Sequence, residues 1–391
     1  MNFFSRTFLA DHCVSIYSFY EPNIIDCEGG YFQNFNDDGS LFDKDVRHLV
    51  SSTRIIVNYA LAVKYLGQTQ HIDKIKHGLD YLEKVHWREA EQGYAWTIAN
   101  NAPSDMTQQA YGYAFVLLAY AASFKAGVVK NTVKIEHIFD LLEQRFWQVD
   151  YGLYADTLST EGELSPYRGQ NANMHICEAM IAAYQATGVN KFLERAQTIA
   201  KNICVVLANK TNGLVWEHYD ANFEADWLYN KDDPKNIYRP WGYQPGHQTE
   251  WTKLLLLINE ISPEPWLVEK ATELFDRSYQ LAWDNEHGGL VYGFDHDGNW
   301  CDTDKYFWVQ AESIASAAML FKATNDEKYL THYHQLWHYC WENFIDHKYG
   351  AWYRLLKQDN SKYSNKKSSA GAKCDYHTLG ACIEVYNLLQ K

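Results

Sequence analysis

His247 and Glu250 stand three residues apart, just after Pro245-Gly246 and just before the apolar run 254–257. A Pro-Gly break opens a helix, and positions i and i+3 share a face, so imidazole and carboxylate can act together in its first turn. Alone, the pair reads more readily as a capping Glu beside a structural His. Similar groups recur where other apolar runs begin: Arg54; Gln108, Gln109 and Tyr111; Asn173 and His175; Trp308, Gln310 and Glu312; Asp375, Tyr376 and His377. An imidazole takes and returns protons near neutral pH, which suits proton transfer at a carbon beside a carbonyl. The oxygens of the resulting enediolate need a cation or strong donors, a task for Arg54 and His175. Chemistry of this kind isomerises or epimerises sugars.

Other chemistries fit less well. There is no H-E-x-x-H, no C-x-x-C and no carboxylate-dense loop, so no metal is expected. G-x-S-x-G and phosphate-cradling glycine loops are missing too, and no organic cofactor is expected. A glycosidase needs two carboxylates flanking the scissile bond. Glu250 and Glu312 qualify by type, but inside apolar helices they serve more economically as supports for histidines.

The elements that place these residues follow a weak sixfold period. Gly30-Tyr-Phe, Gly93-Tyr-Ala-Trp, Gly152-Leu-Tyr, Gly213-Leu-Val-Trp, Gly289-Leu-Val-Tyr and Gly350-Ala-Trp-Tyr punctuate the chain as short strands, several followed by turn residues. Between them lie two kinds of helical pattern. Segments 46–65, 107–124, 173–187, 247–261, 306–323 and 376–389 are apolar on most faces, as buried helices are. Segments 2–17, 71–85, 133–148, 191–208, 264–283 and 327–344 are amphipathic. Six inner and six outer helices in alternation predict an all-α fold, an (α/α)6 barrel with short β-ribbons at one end. In such a barrel the inner helices start around one cavity, which is why their polar residues should converge. No linker composition divides the chain, so 1–391 reads as a single catalytic domain. Segment 226–246, polar and aromatic, leads into His247 as a candidate rim or lid. The lysine-rich tract 361–373 reads as a solvated loop.

The composition narrows the partners. A net charge of -14 gives no basic footprint for nucleic acid or an anionic membrane. The 14 Trp and 29 Tyr suit a sugar-lined interior, since rings stack on sugar CH faces while phenols and indoles donate hydrogen bonds, although they suit core packing equally. Eight scattered cysteines read as reduced thiols, and no window is apolar enough to span a membrane, so a cytoplasmic location is expected. The outer helices show no decisive apolar stripe, and the oligomeric state is left open.

Motifs along nearly the whole chain resemble the N-acylglucosamine 2-epimerase superfamily. They are R-x-x-V-x-x-A from Arg54, AYGYAF at 110–115, N-x-N-M-H-x-x-E-A at 171–179, PGHQTEW at 245–251, FWVQAES at 307–313 and DYH at 375–377. The resemblance implies the same barrel and metal-free interconversion of sugars at C1 and C2. The epimerases typically carry an arginine shortly after the last histidine. Here the segment reads His377-Thr-Leu-Gly-Ala-Cys382, closer to the aldose-ketose isomerase branch that contains the mannose and sulfoquinovose isomerases. Mannose to fructose, with lyxose to xylulose, is therefore the expected reaction, since only Arg239 and its neighbours offer to hold a sulfonate. A 2-epimerase or a sulfoquinovose isomerase is the alternative. By similarity His377 is the C2/C1 base and His247 the ring-opening and oxygen-side acid/base, an assignment the sequence leaves reversible. Arg54 and His175 stabilise the oxygens, and Glu250 and Glu312 orient or charge the histidines. Tyr111 and Trp308 form the sugar platform, and Asn173, Gln310, Glu312 and Asp375 complete the substrate-binding set.

Overall fold

The computed structural model describes residues 1–236, 238–371 and 374–390. Among them are twelve α-helices: α1 (Arg6–Tyr20), α2 (Leu49–Leu66), α3 (Ile72–Tyr81), α4 (Ala110–Lys125), α5 (Val133–Phe146), α6 (Gln170–Thr187), α7 (Asn190–Lys201), α8 (Pro245–Ile261), α9 (Pro265–Ala282), α10 (Phe307–Thr324), α11 (Glu327–Asn343) and α12 (Tyr376–Leu388). The two expected kinds of helix are present. Helix α10 buries every residue from Phe307 to Leu320, which only a helix covered on all sides does. Helix α7 instead buries Phe192, Ala196, Ile199 and Ala200, spaced to share one stripe, and turns its charges outward. No helix among the described residues is long and apolar enough to cross a membrane.

The chain resolves into two compact units. In the first (Met1–Ile16, Ala200–Asn365 and His377–Lys391), α8 packs against α9 and α10, and α10 against α11. In the second (Tyr17–Ile199 and Lys366–Tyr376), α2 packs against α3 and α4, and α4 against α5 and α6. Each unit thus sets all-round buried helices side by side, with an amphipathic helix behind them.

Helices α2, α4 and α10 start three residues or fewer later than the sequence suggests, because the preceding residues are strands. Val46–His48 pairs with Thr97–Ala99, Gln108–Gln109 with Thr157–Leu158, and Lys305–Tyr306 with Leu355–Leu356. Each ribbon thereby grips the entry to an earlier buried helix and fixes where its first turn stands. The recurring glycines answer to close packing. Gly289 has φ 79°, and a Cβ there would meet the Tyr339 ring at 2.3 Å; a Cβ on Gly93 would meet Gln108 Oε1 at 2.3 Å.

Three local expectations change. Outer segments 71–85 and 191–208 end in wider π turns, Leu82–His86 and Asn202–Leu207, and the first carries His86 fully indoors. Tract 361–373 is not a plain solvated loop. Lys366–Ser368 pairs with Asn34–Asn36, with Lys367 and Ser368 buried, while residues 372 and 373 lie outside the described ones. Lys367 Nζ reaches the Asp37 carbonyl at 3.2 Å and lies over Phe19, so its stem is packed rather than solvated. Of segment 226–246, residues 226–236 and 238–244 are irregular but tied down, with Trp241 Nε1 donating to the Trp227 carbonyl at 2.8 Å and Tyr243 bridged to Phe294, residues 245–246 already belong to α8, and residue 237 lies outside the described ones.

Burial holds several histidines neutral. It lowers His12 and His86 to about 4, and His48 to about 3 with help from His86 and Arg54. His86 Nδ1 lies 2.9 Å from the Ala95 carbonyl and Nε2 3.2 Å from Ser52 Oγ, so the ring donates at one nitrogen and accepts at the other. These folded values lie below the unfolded 6.5, so the unfolded chain binds the protons first. Their stabilising contribution is complete above pH 6.5 and is lost as pH falls from 6.5 toward 4, at roughly 1.4 kcal/mol per pH unit per histidine. Unfolding free energies from urea titrations across pH 7 to 4 should show His86→Gln with an acid slope shallower by about that amount; an unchanged slope would refute the assignment.

Candidate active site

The start of α8 places His247, and Glu217, just ahead of the two-residue strand His218–Tyr219, holds it. Glu217 takes the Nδ1 hydrogen at 2.9 and 3.0 Å, and an ionised carboxylate can only accept, so His247 carries its lone pair on Nε2. The Trp308 ring stands 5.0 Å from His247 and 5.5 Å from His377, tilted 41° to each. Gly246 makes this possible, since a Cβ there would meet the indole at 2.5 Å. His377 Nδ1 lies 2.6 Å from Glu312 Oε1, while Lys253 Nζ donates to Glu312 Oε2 at 2.6 Å and stands 4.0 Å from Glu250 Oε1. Polar atoms of Glu250, Glu312 and His377 lie within 4.8 Å of one another, all buried. That spacing would suit a cation, and the Lys253 ammonium already supplies positive charge there.

The second unit repeats the device. His175 on α6 donates Nδ1–H to Glu178 Oε2 at 2.9 Å, one turn along, and the other oxygen of Glu178 accepts the Tyr376 hydroxyl at 2.7 Å. The His175 ring meets Tyr111 edge-on at 5.0 Å and lies 4.8 Å from Phe115. Arg54, buried in α2, donates to the Tyr111 hydroxyl at 2.9 Å, with its guanidinium 4.2 Å over Phe115 and 5.0 Å over Tyr376. Asp375, in the left-handed region at φ 44°, accepts the Tyr20 hydroxyl at 2.5 Å. Burial, with the Asp375 charge behind it, pushes Tyr20 well above its ordinary value, so the phenol remains a donor.

The first unit therefore gathers His247, Glu250, Trp308, Glu312 and His377, and the second gathers Arg54, Tyr111 and His175. Three expected binding residues make hydrogen bonds within the protein. Asn173 accepts the Tyr154 N–H at 2.8 Å and donates to the Tyr154 carbonyl at 2.9 Å. Gln310 does the same to Leu290, at 2.9 and 2.8 Å, and Asp375 is committed to Tyr20. Gln248 clamps Val215 in the same way at 3.0 and 2.7 Å, so these amides are a repeated fixture between buried helix and ribbon. Glu217 and Lys253 escaped the sequence reading. Lys253 extends the i, i+3 ladder from His247 and Glu250 and was findable; Glu217, thirty residues before its histidine, gives no local signal.

Removing a clamp strands a buried N–H and C=O together. Asn173→Ala and Gln310→Ala should each cost roughly 2–4 kcal/mol of unfolding free energy in urea titrations. A loss under about 0.5 kcal/mol in both would show that the amides carry no such duty.

A family model for N-acylglucosamine 2-epimerase matches residues 30–381. The chain is 50% identical to a D-mannose isomerase of Marinomonas mediterranea over 389 residues, covering 99% of this chain and 98% of that one. It superposes on a crystal structure of D-mannose isomerase with a TM-score of 0.97, at 50% identity over 99% of each chain. A cellobiose 2-epimerase of Eubacterium cellulosolvens is 24% identical over 92% of each chain. The fold class is the expected one, mostly helical with twelve helices and short strands, shared with (α/α)6-barrel proteins. The chain belongs to the N-acylglucosamine 2-epimerase family.

Proposed function

We propose that the protein is an aldose-ketose isomerase converting D-mannose to D-fructose, and D-lyxose to D-xylulose, by histidine-mediated proton transfer without a metal. The observation that carries this is the 50% identity to a D-mannose isomerase along almost the entire chain, against 24% to a cellobiose 2-epimerase. The side-chain chemistry agrees. Three histidines each hand Nδ1–H to a glutamate, which fixes the tautomer, leaves Nε2 basic and stabilises the imidazolium once a proton arrives.

In this reading one histidine, His247, assists ring opening and serves the oxygens. His377 Nε2 removes the proton from C2 of the open aldose, the C2–H electrons form the C1–C2 double bond of a cis-enediol, and O1 gains a proton. The same imidazolium then protonates C1 on the same face while O2 loses its proton to become the ketone. Arg54 and His175 hold the enediolate oxygens. Trp308 offers an apolar ring to the sugar, and Tyr111 orients Arg54. Substrate is a neutral monosaccharide, so no anion site is required.

We also read the chain as one catalytic domain, because three of the four boundaries between the compact units fall inside helices α1, α7 and α12. A cytoplasmic location is supported by eight free cysteines, six of them buried.

The test is an NMR time course of EDTA-treated protein with D-mannose. Fructose should appear without glucose; glucose as the primary product would make the protein a 2-epimerase. His247→Ala and His377→Ala should each lower turnover by about 100-fold or more. Near-normal turnover in both would refute the assignment of roles.

A further inference from the structure

Lys253 is the least expected residue in the first unit. It lies on the buried helix α8 at 7% exposure, although lysine is seldom buried without a reason. Its ammonium stands 2.6 Å from Glu312 Oε2 and 4.0 Å from Glu250 Oε1, and Glu312 Oε1 is the acceptor for His377 Nδ1. Within the first unit, the described groups facing this cluster include Glu250 on its own helix, Glu312 on α10 and His377 on α12. His247, two turns back on α8, is paired with Glu217, which lies outside that helix.

Two carboxylates this close indoors do not both stay ionised unless a cation lies beside them. The consequence reaches the histidine. An ionised Glu312 can only accept, so His377 must hold its hydrogen on Nδ1 and its lone pair on Nε2. A protonated Glu312 would donate O–H to Nδ1, and the imidazole hydrogen would then sit on Nε2, leaving no base there.

We propose that Lys253 is a positioning residue that keeps Glu312 ionised and thereby holds His377 in the tautomer with a basic Nε2. The proposal rests on the reading of His377 as the C2/C1 base. It assigns to an internal ammonium the charge compensation that a bound cation provides elsewhere.

The experiment combines kinetics with D-mannose and 15N NMR of histidine-labelled protein, which reports the tautomer of His377 directly. In the wild type the proton should be on Nδ1. Lys253→Met should lower kcat about 10- to 100-fold with KM within about twofold, and should move the acid limb of kcat up by about one pH unit, because the cluster takes its first proton more readily. The His377 proton should move to Nε2. Lys253→Arg should keep the wild-type tautomer and most of the turnover. In a Glu312→Gln background, Lys253→Met should cost little further, since its effect runs through Glu312.

A wild-type His377 protonated on Nε2 overturns the proposal whether or not any variant folds. So does a Lys253→Met enzyme with normal kcat and tautomer, or losses that multiply in the double variant. These outcomes are separable from failure of the underlying reading. Retained activity in His377→Gln would remove His377 as the base, whereas an inactive His377→Gln beside a normal Lys253→Met would reject the lysine's role alone.

Discussion

Glu312 is almost wholly buried, and both of its oxygens are engaged, one by an imidazole and one by an ammonium. Such a carboxylate is tolerable only with compensation, and removing either partner would leave a costly uncompensated charge. That requirement ties three elements of the first unit together. Helix α10 brings the carboxylate, α12 the histidine from its first turn, and α8 the lysine from its middle. The remaining groups fall in around it: Trp308, one turn before Glu312 on α10, faces both histidines, and His247 takes its own carboxylate from Glu217. The helix packing is thus constrained by charge as much as by shape.

The second unit obeys the same rule with different parts. Glu178 serves His175 and Tyr376 at once, so one carboxylate fixes an imidazole and a phenol. Arg54 is held by Phe115, Tyr376 and the Tyr111 hydroxyl, contacts that fix where its planar, permanently charged guanidinium stands. Behind these groups, the amide clamps at Asn173, Gln248 and Gln310 hold the first turns of buried helices onto ribbon backbone. Their work is rigidity, without which histidines and arginine would not stay within the tolerance that proton transfer demands.

The helices were legible because burial on every face and burial on one stripe leave different residue patterns, as in α10 against α7. The polar residues at helix starts were legible because they break those patterns, and His247, Glu312 and Arg54 stand where that reasoning places them. Asn173 and Gln310 also break the pattern, and both satisfy neighbouring backbone. A buried amide that satisfies a neighbouring backbone looks, in sequence, the same as one that meets a ligand. Glu217 was invisible because its pairing with His247 exists only once the two segments are folded together. The π turn that buries His86 was equally out of reach, since its sequence is compatible with an ordinary helix end.

The central claim is that one imidazole carries a proton from C2 to C1 across a single face of the enediol. D-[2-2H]mannose tests it most directly, with the deuterium content of each C1 position of fructose read by NMR at low conversion. Some of the label should arrive at one C1 position only, the remainder being lost to water from the protonated imidazole. Label at both C1 positions, or complete retention with none lost however slow the turnover, would contradict the account.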